Sequence, residues 1–284
     1  MIQSKNDIGI IGAGKVGTSL GAYFLKQGIT VTGFYDAVTD NARDAAERTN
    51  TRCYSSLGEV LAANEVLFIT VPDDTISSVW EQCLAYPIAG KCFFHCSGAL
   101  SSEVFSNHAE AAVHVGSLHP VCAVNGRSDD SVFFGKFFVM EGDQTGLKML
   151  KSLMMATGND YRVIAAEDKT RYHAAAVASS NLCCALAAMA EDWMKDCGFE
   201  AKAAHEMLVP LMLGNMEHIA EHGVEKALTG PVERGDAGTV AKHLATLEGD
   251  DREIYRLLSL RLVKTAQQKH PDTDYTNLLK VLMK

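Results

Sequence analysis

The chain has 284 residues, 47% hydrophobic and 21% charged, an ordinary balance for a globular protein with room for two cores. Its 26 Lys and Arg against 35 Asp and Glu leave a net charge of −9, which argues against nucleic acid or an anionic membrane as partner. A small anionic substrate stays open, because a local arginine or helix N-terminus can override the global sign.

No apolar run reads as long enough to span a bilayer, and the first residues lack the charged and apolar regions of a secretory leader, so the expected location is cytoplasmic. The eight cysteines show no CxxC pairing and read as free thiols in a reducing compartment. Cys92-Phe93-Phe94-His95-Cys96 alternates faces if it is a strand, so no metal site is expected.

The first half alternates strand and helix patterns. Residues 8–11 form an apolar strand, 16–27 a helix broken at Gly28, and 30–35 a β-branched and aromatic strand. Residues 41–48 are helical, 65–71 a buried strand ending at Pro72, 75–84 a helix, and 91–96 and 113–118 strands. Residues 132–140 read as a strongly apolar strand toward the sheet edge, followed by a helix over 146–156 and a strand over 161–164. Beyond 165 the pattern turns helical. Residues 169–195 contain no Gly or Pro and read as one long helix, with further helices over 201–221, 240–248 and 251–268, punctuated by Gly214, Gly223, Gly230-Pro231 and Gly249. The small residues of the long helix suit close packing within the domain or across a dimer. The expected fold class is α/β: a doubly wound, mostly parallel sheet over 1–165, then an all-helical domain over 166–284.

Gly12-Ala13-Gly14-Lys15-Val16-Gly17 matches GxGxxG, follows the first strand and opens a helix, and Asp36 ends the next strand nineteen residues after Gly17. In that context it is the fingerprint of a dinucleotide-binding Rossmann domain. Gly12 allows the tight turn, Gly14 lets the backbone approach the pyrophosphate, and Gly17 lets helix and strand pack closely. The helix N-terminus faces the phosphates. Asp36 would accept hydrogen bonds from the ribose hydroxyls and repel a 2′-phosphate, favouring NAD; Arg43 and Arg48 keep NADP open. Val71-Pro72-Asp73-Asp74 leaves a strand at the carboxyl edge, where Pro72 would carry the loop over the cofactor and the two aspartates read as helix caps.

Two more segments end strands at that edge: His95-Cys96-Ser97-Gly98 and Gly116-Ser117-Leu118-His119-Pro120. Hydride transfer to a carbonyl needs a proton donor at the oxygen. His119 has the right intrinsic pKa and a Ser97 hydroxyl could bridge it to the substrate; the alternative is a strand cap and a turn. His173 and Asn181, eight residues apart on the long helix, share a face and could line a cleft. The loop of Gly230-Pro231-Val232-Glu233-Arg234-Gly235-Asp236 presents Arg234, suited to a substrate carboxylate, and Asp236; the two could instead fix the loop to each other, and Asp236 or Thr239 could cap the next helix.

The order of these motifs resembles the family in which a Rossmann-like domain precedes a helical domain of unknown function, number 2520. The resemblance covers nearly the whole chain and is most specific at Gly-Pro-x-x-Arg-Gly-Asp. It implies a 6-phosphogluconate dehydrogenase-like architecture related to pyrroline-carboxylate, ketopantoate and β-hydroxyacid enzymes. The implied activity is NAD(P)-dependent hydride transfer to or from a small keto/hydroxy or imino/amino carboxylate, with alternative ketopantoate reductases among the relatives, in a homodimer. The chain is also similar to prephenate dehydrogenases, which implies substrate-hydroxyl roles for Ser97 and His119. It departs from the relatives in two places. The Lys expected four residues before the helix Asn is Val177, and the Ser-Arg pair suited to NADP is replaced by Asp36-Ala37. A dinucleotide-binding sensor without turnover is the alternative from another class.

Overall fold

β1 (Ile8–Ile11), β4 (Val66–Ile69) and β5 (Cys92–His95) are buried at every position, as a parallel sheet covered on both faces requires. The computed structural model describes residues 7–126 and 130–284, so the expectation about a leader falls mostly outside the described residues. With β2 (Val31–Tyr35), β3 (Arg52–Cys53), β6 (His114–Pro120), β7 (Phe138–Gly142) and β8 (Tyr161–Val163), these strands form one sheet in the order β3-β2-β1-β4-β5-β6-β7-β8. All neighbours are parallel except β6 and β7.

The connecting helices are α1 (Lys15–Lys26), α2 (Thr39–Thr49), α3 (Leu57–Ala63), α4 (Asp73–Cys83) and α5 (Gln144–Thr157). One face of the sheet packs Phe24, Phe34, Phe68, Phe94, Met140 and Leu150; the other packs Leu61, Leu67, Ile69, Trp80, Phe93 and Val115. Strand order reverses between β1 and β4, the switch point outside whose carboxyl ends ligands bind in doubly wound sheets.

The chain divides into two compact units, residues 1–179 and 180–284. α6 (Lys169–Ala178) closes the first. The second holds α7 (Asn181–Asp196), α8 (Ala201–His222), α9 (Val224–Ala227), α10 (Ala237–Thr246), α11 (Gly249–Lys269) and α12 (Thr276–Leu282), around a core of Val232, Val240, Leu244, Val263, Tyr275, Leu278 and Leu282.

Four local expectations give way. The strand expected over 132–140 begins only at Phe138, because a turn through Gly135 at φ 65° precedes it; it lies one strand in from the edge. The single long helix is two, separated at Ser179 and Ser180. The Ser179 hydroxyl donates back to the Ala176 carbonyl and the Ser180 hydroxyl to Asn181 Oδ1, local bonds that compete with the helical pattern. α8 covers the helix expected over 201–221 but continues through Gly214, where punctuation was expected, and also through Pro210. Finally, the segment Ala166–Asp196 is long and apolar enough by composition to cross a membrane, although no such run was expected.

Candidate active site

Gly12 leaves β1 at φ 105°, a conformation open chiefly to glycine. α1 starts at Lys15 with Gly14 as N-cap, no side-chain capping bond and no acidic residue in its first turn. Its leading N–H groups therefore remain for an anion. A Cβ on Gly17 would lie 2.1 Å from the Gly12 carbonyl oxygen and 2.3 Å from Thr70 Oγ1, whereas one on Gly14 would meet nothing within 4 Å. Internal packing thus dictates Gly17, while Gly14 keeps open a cradle that a Cβ would fill. Val71 lies against the same loop, within 2.9 Å of a Cβ built on Gly12, and Pro72 is the N-cap of α4.

Asp36 is tied into this loop. Its Oδ2 accepts from Ala13 N at 2.7 Å, and its Oδ1 from Val38 N at 2.8 Å and Asn41 Nδ2 at 3.4 Å. A carboxylate has about four acceptor sites, so capacity for a ribose hydroxyl remains. Arg43 and Arg48 pair with Asp40 and Asp44 on their own helix. The loop, its helix N-terminus and Asp36 fit the pyrophosphate and ribose of a dinucleotide.

Further along the carboxyl edge, β5 and β6 deliver a second group of side chains. His119 Nδ1 lies 2.6 Å from the Tyr172 hydroxyl, and its ring stands edge-on to Tyr172 and to His173, with centroids 5.6 and 6.0 Å away. A Cβ on Gly98 would fall 2.8 Å from His119 Nε2 and 2.5 Å from His173 Cδ2, so glycine is what lets the two imidazoles close on this turn. Burial pushes the Tyr172 hydroxyl up to about 12. Burial, then the neighbouring Lys169 and His173, push His119 down to about 4.

Ser97 is almost wholly buried and its hydroxyl is committed. It donates to Asp73 Oδ2 at 2.6 Å and accepts from the backbone N–H of Ala99 and Leu100 at 3.2 and 3.0 Å. The expected bridging hydroxyl is therefore a builder of the turn. Asp73 is no cap either: it is the first residue of α4, and its carboxylate holds Ser97.

Lys169 went unnoticed in the sequence. It is 1% exposed, and its ammonium donates to the Ser97 carbonyl at 2.8 Å and to Ser117 Oγ at 3.0 Å. A usable signal was present: as the first residue of α6, this cation opposes the helix dipole, so a role elsewhere must hold it there. Burial pushes it down to about 8, against the pull of Glu141, Cys96 and Asp73.

The structure brings together His119, His173 and Ser97, with Tyr172, Lys169 and Asp73. Asn181 opens α7 in the other unit, so the shared helix face expected for His173 and Asn181 does not exist. Asp236 caps α10, accepting from Thr239 N at 3.0 Å and Thr239 Oγ1 at 2.7 Å, and does not pair with Arg234. The exposed Arg234 guanidinium has no hydrogen-bond or ion-pair partner among the described residues. No group of three or more metal-ligating side chains occurs among the described residues.

Sequence models of two families match in succession, a Rossmann-like domain over residues 1–120 and a domain of unknown function (DUF2520) over 136–262. No functionally curated protein matches the chain. Among solved structures, protein TM1727 from Thermotoga maritima is 26% identical with a TM-score of 0.72, over 92% of this chain and 99% of that one. The reductive aminase from Aspergillus terreus, in complex with NADPH and ethyl-5-oxohexanoate, is 16% identical with a TM-score of 0.66, over 97% and 98%. The imine reductase from Myxococcus stipitatus, in complex with NADP+, is 16% identical with a TM-score of 0.61, over 98% and 100%. At that identity the two reductases share the fold.

Proposed function

This chain joins a Rossmann-like domain to a DUF2520 domain, and from that make-up we propose that it is an NAD(P)-dependent oxidoreductase acting on a small keto/hydroxy or imino/amino carboxylate, keto acids of the ketopantoate type included. One observation carries the reading: His119, Tyr172 and His173 close around Gly98 in the same unit, and at the same sheet edge, as the phosphate loop. The nicotinamide group, when bound, supplies or accepts the hydride. The first turn of α1 and Asp36 hold the dinucleotide, with Val71 and Pro72 bordering it. His119 presents a polar hydrogen to the substrate oxygen or nitrogen, Tyr172 orients its ring, and His173 stands edge-on beside it. Arg234, from this chain or from a partner, is the group assigned to the substrate carboxylate.

We assign preference to NAD(H). The support is that a carboxylate at Asp36 would repel a 2′-phosphate, and that Arg43 and Arg48 are engaged on α2. A homodimer through the second unit is part of the same reading, supported by apolar surface on α7, α8 and α11. So is a cytoplasmic location: the buried Lys169 pins α6 to the sheet-bearing unit, which speaks against Ala166–Asp196 as a membrane span.

The test is a thermal-shift titration with NAD⁺, NADH, NADP⁺ and NADPH, followed by a screen of keto acids and imines for cofactor oxidation. A ligand at about 100 times its Kd adds about 2.7 kcal/mol of stability. Stabilisation by the NAD(H) pair is expected; stabilisation by none of the four would overturn the reading.

A further inference from the structure

A lysine at the start of a helix could reach water with little rearrangement. Lys169 instead buries its ammonium, a placement costly enough that specific partners must offset it. The partners come from two neighbouring strand ends: the Ser97 carbonyl just after β5, and the Ser117 hydroxyl on β6. Two carboxylates stand near, each occupied elsewhere. Asp73 on α4 takes the Ser97 hydroxyl, and Glu141 on β7 takes Ser102 N at 2.6 Å and Ser102 Oγ at 2.9 Å. The other titratable groups that interact with Lys169 are His95 and Cys96 at the end of β5 and His119 on β6.

We propose that Lys169 is a positioning residue, whose buried ammonium clamps the Ser97–Ala99 turn to β6 and helps to keep the His119 imidazole neutral. The proposal rests on the reading of His119 as a substrate-facing group. The clamp is geometric: one ammonium ties the turn carrying Gly98 to β6, the strand carrying His119, so the spacing of both is set together.

The charge effect follows from proximity. Burial first and the Lys169 ammonium second keep both imidazoles neutral at pH 7, His119 pushed down to about 4 and His95 to about 3. A neutral imidazole carries one N–H. On this proposal the protonated Tyr172 hydroxyl is the donor in its bond to Nδ1, the arrangement that leaves the imidazole proton on Nε2, the atom facing Gly98. His119 therefore offers a fixed N–H instead of titrating through the neutral range.

The test is histidine and lysine titration by NMR on the whole, isotope-labelled protein, which needs neither cofactor nor turnover. In the wild type, Lys169 should titrate near 8 instead of the ordinary 10.5, and His119 should remain the neutral Nε2–H tautomer down to about pH 4. Lys169→Met should raise the His119 midpoint by about one pH unit, and Lys169→Arg should restore the wild-type value. A folded Lys169→Met protein with an unchanged His119 midpoint would overturn the proposal. If that variant does not fold, the wild-type measurement still decides: an ordinary midpoint for Lys169 would sink it. Loss of dinucleotide binding would overturn the functional reading alone, because these titrations would be untouched.

Discussion

His119 and His95 leave a signature in the acid stability of the protein. Burial first and Lys169 second hold them down to about 4 and about 3, while in the unfolded chain both return to about 6.5. Between those values the unfolded state binds more protons, so native stability is intact above pH 6.5 and is lost as pH falls toward each folded value. The slope approaches about 1.4 kcal/mol per pH unit for each displaced proton. Lys169, held down to about 8 from 10.5, acts with the same sign, its unfolded form taking up the extra proton across that alkaline window. Urea denaturation from pH 7 to 4 should show stability declining through this range; a flat profile would mean the imidazoles reach water. At this scale legibility depended on locality. The turn at Gly12 and the close packing at Gly17 could be read because a strand, a glycine-rich turn and a helix follow one another in the local sequence, although Thr70, which crowds both glycines, lies far along the chain. Lys169 was harder, because its partners lie 72 and 52 residues away and the one local hint, a cation opening a helix, does not say what holds it.

Elements were readable where one pattern dominated. The apolar runs of β1, β4 and β5 allow little besides buried parallel strands. The break between α6 and α7 was missed because serine is tolerated in helices, and only the side-chain bonds of Ser179 and Ser180 reveal the competition. The loop before α10 shows how one residue can be read two ways. Asp236 suits a substrate site by charge and a helix cap by position, and its oxygens are found on Thr239. Asp236→Ala should therefore cost about 1 kcal/mol in stability, and Asp236→Ser, another good cap, should recover most of it. Chemical denaturation of the two variants checks this. Equal loss in both would mean that the carboxylate serves something besides the cap.

For the whole molecule, the contrast between the two units matters most. The sheet-bearing unit buries its aromatic residues on both faces, whereas α7 has no buried residue and α8 only Ala204. On α8, Met207, Leu211, Leu213 and Met216 are 53%, 66%, 57% and 49% exposed, far more apolar surface than a lone helix leaves in water without cause. Light scattering should give the mass of two chains for the wild type. Leu211→Glu, at a site with few intrachain contacts to lose, should shift the protein toward one chain with its secondary structure intact. A monomeric wild type would refute the dimer. Sequence reading could see that the second half was helical, but not which apolar faces find a partner inside the chain, since packing is invisible to periodicity.

The bond from Ala13 N to Asp36 means that the phosphate loop takes its shape when the sheet folds. A ligand arriving there meets a receptor already ordered, and little conformational entropy remains to be lost on association. On the function proposed above, Asp36 would bear on rigidity as well as recognition. A substitution meant only to retune the cofactor would also loosen the backbone that receives the pyrophosphate, so exchanging one dinucleotide for another at this position would weaken both before it favoured either.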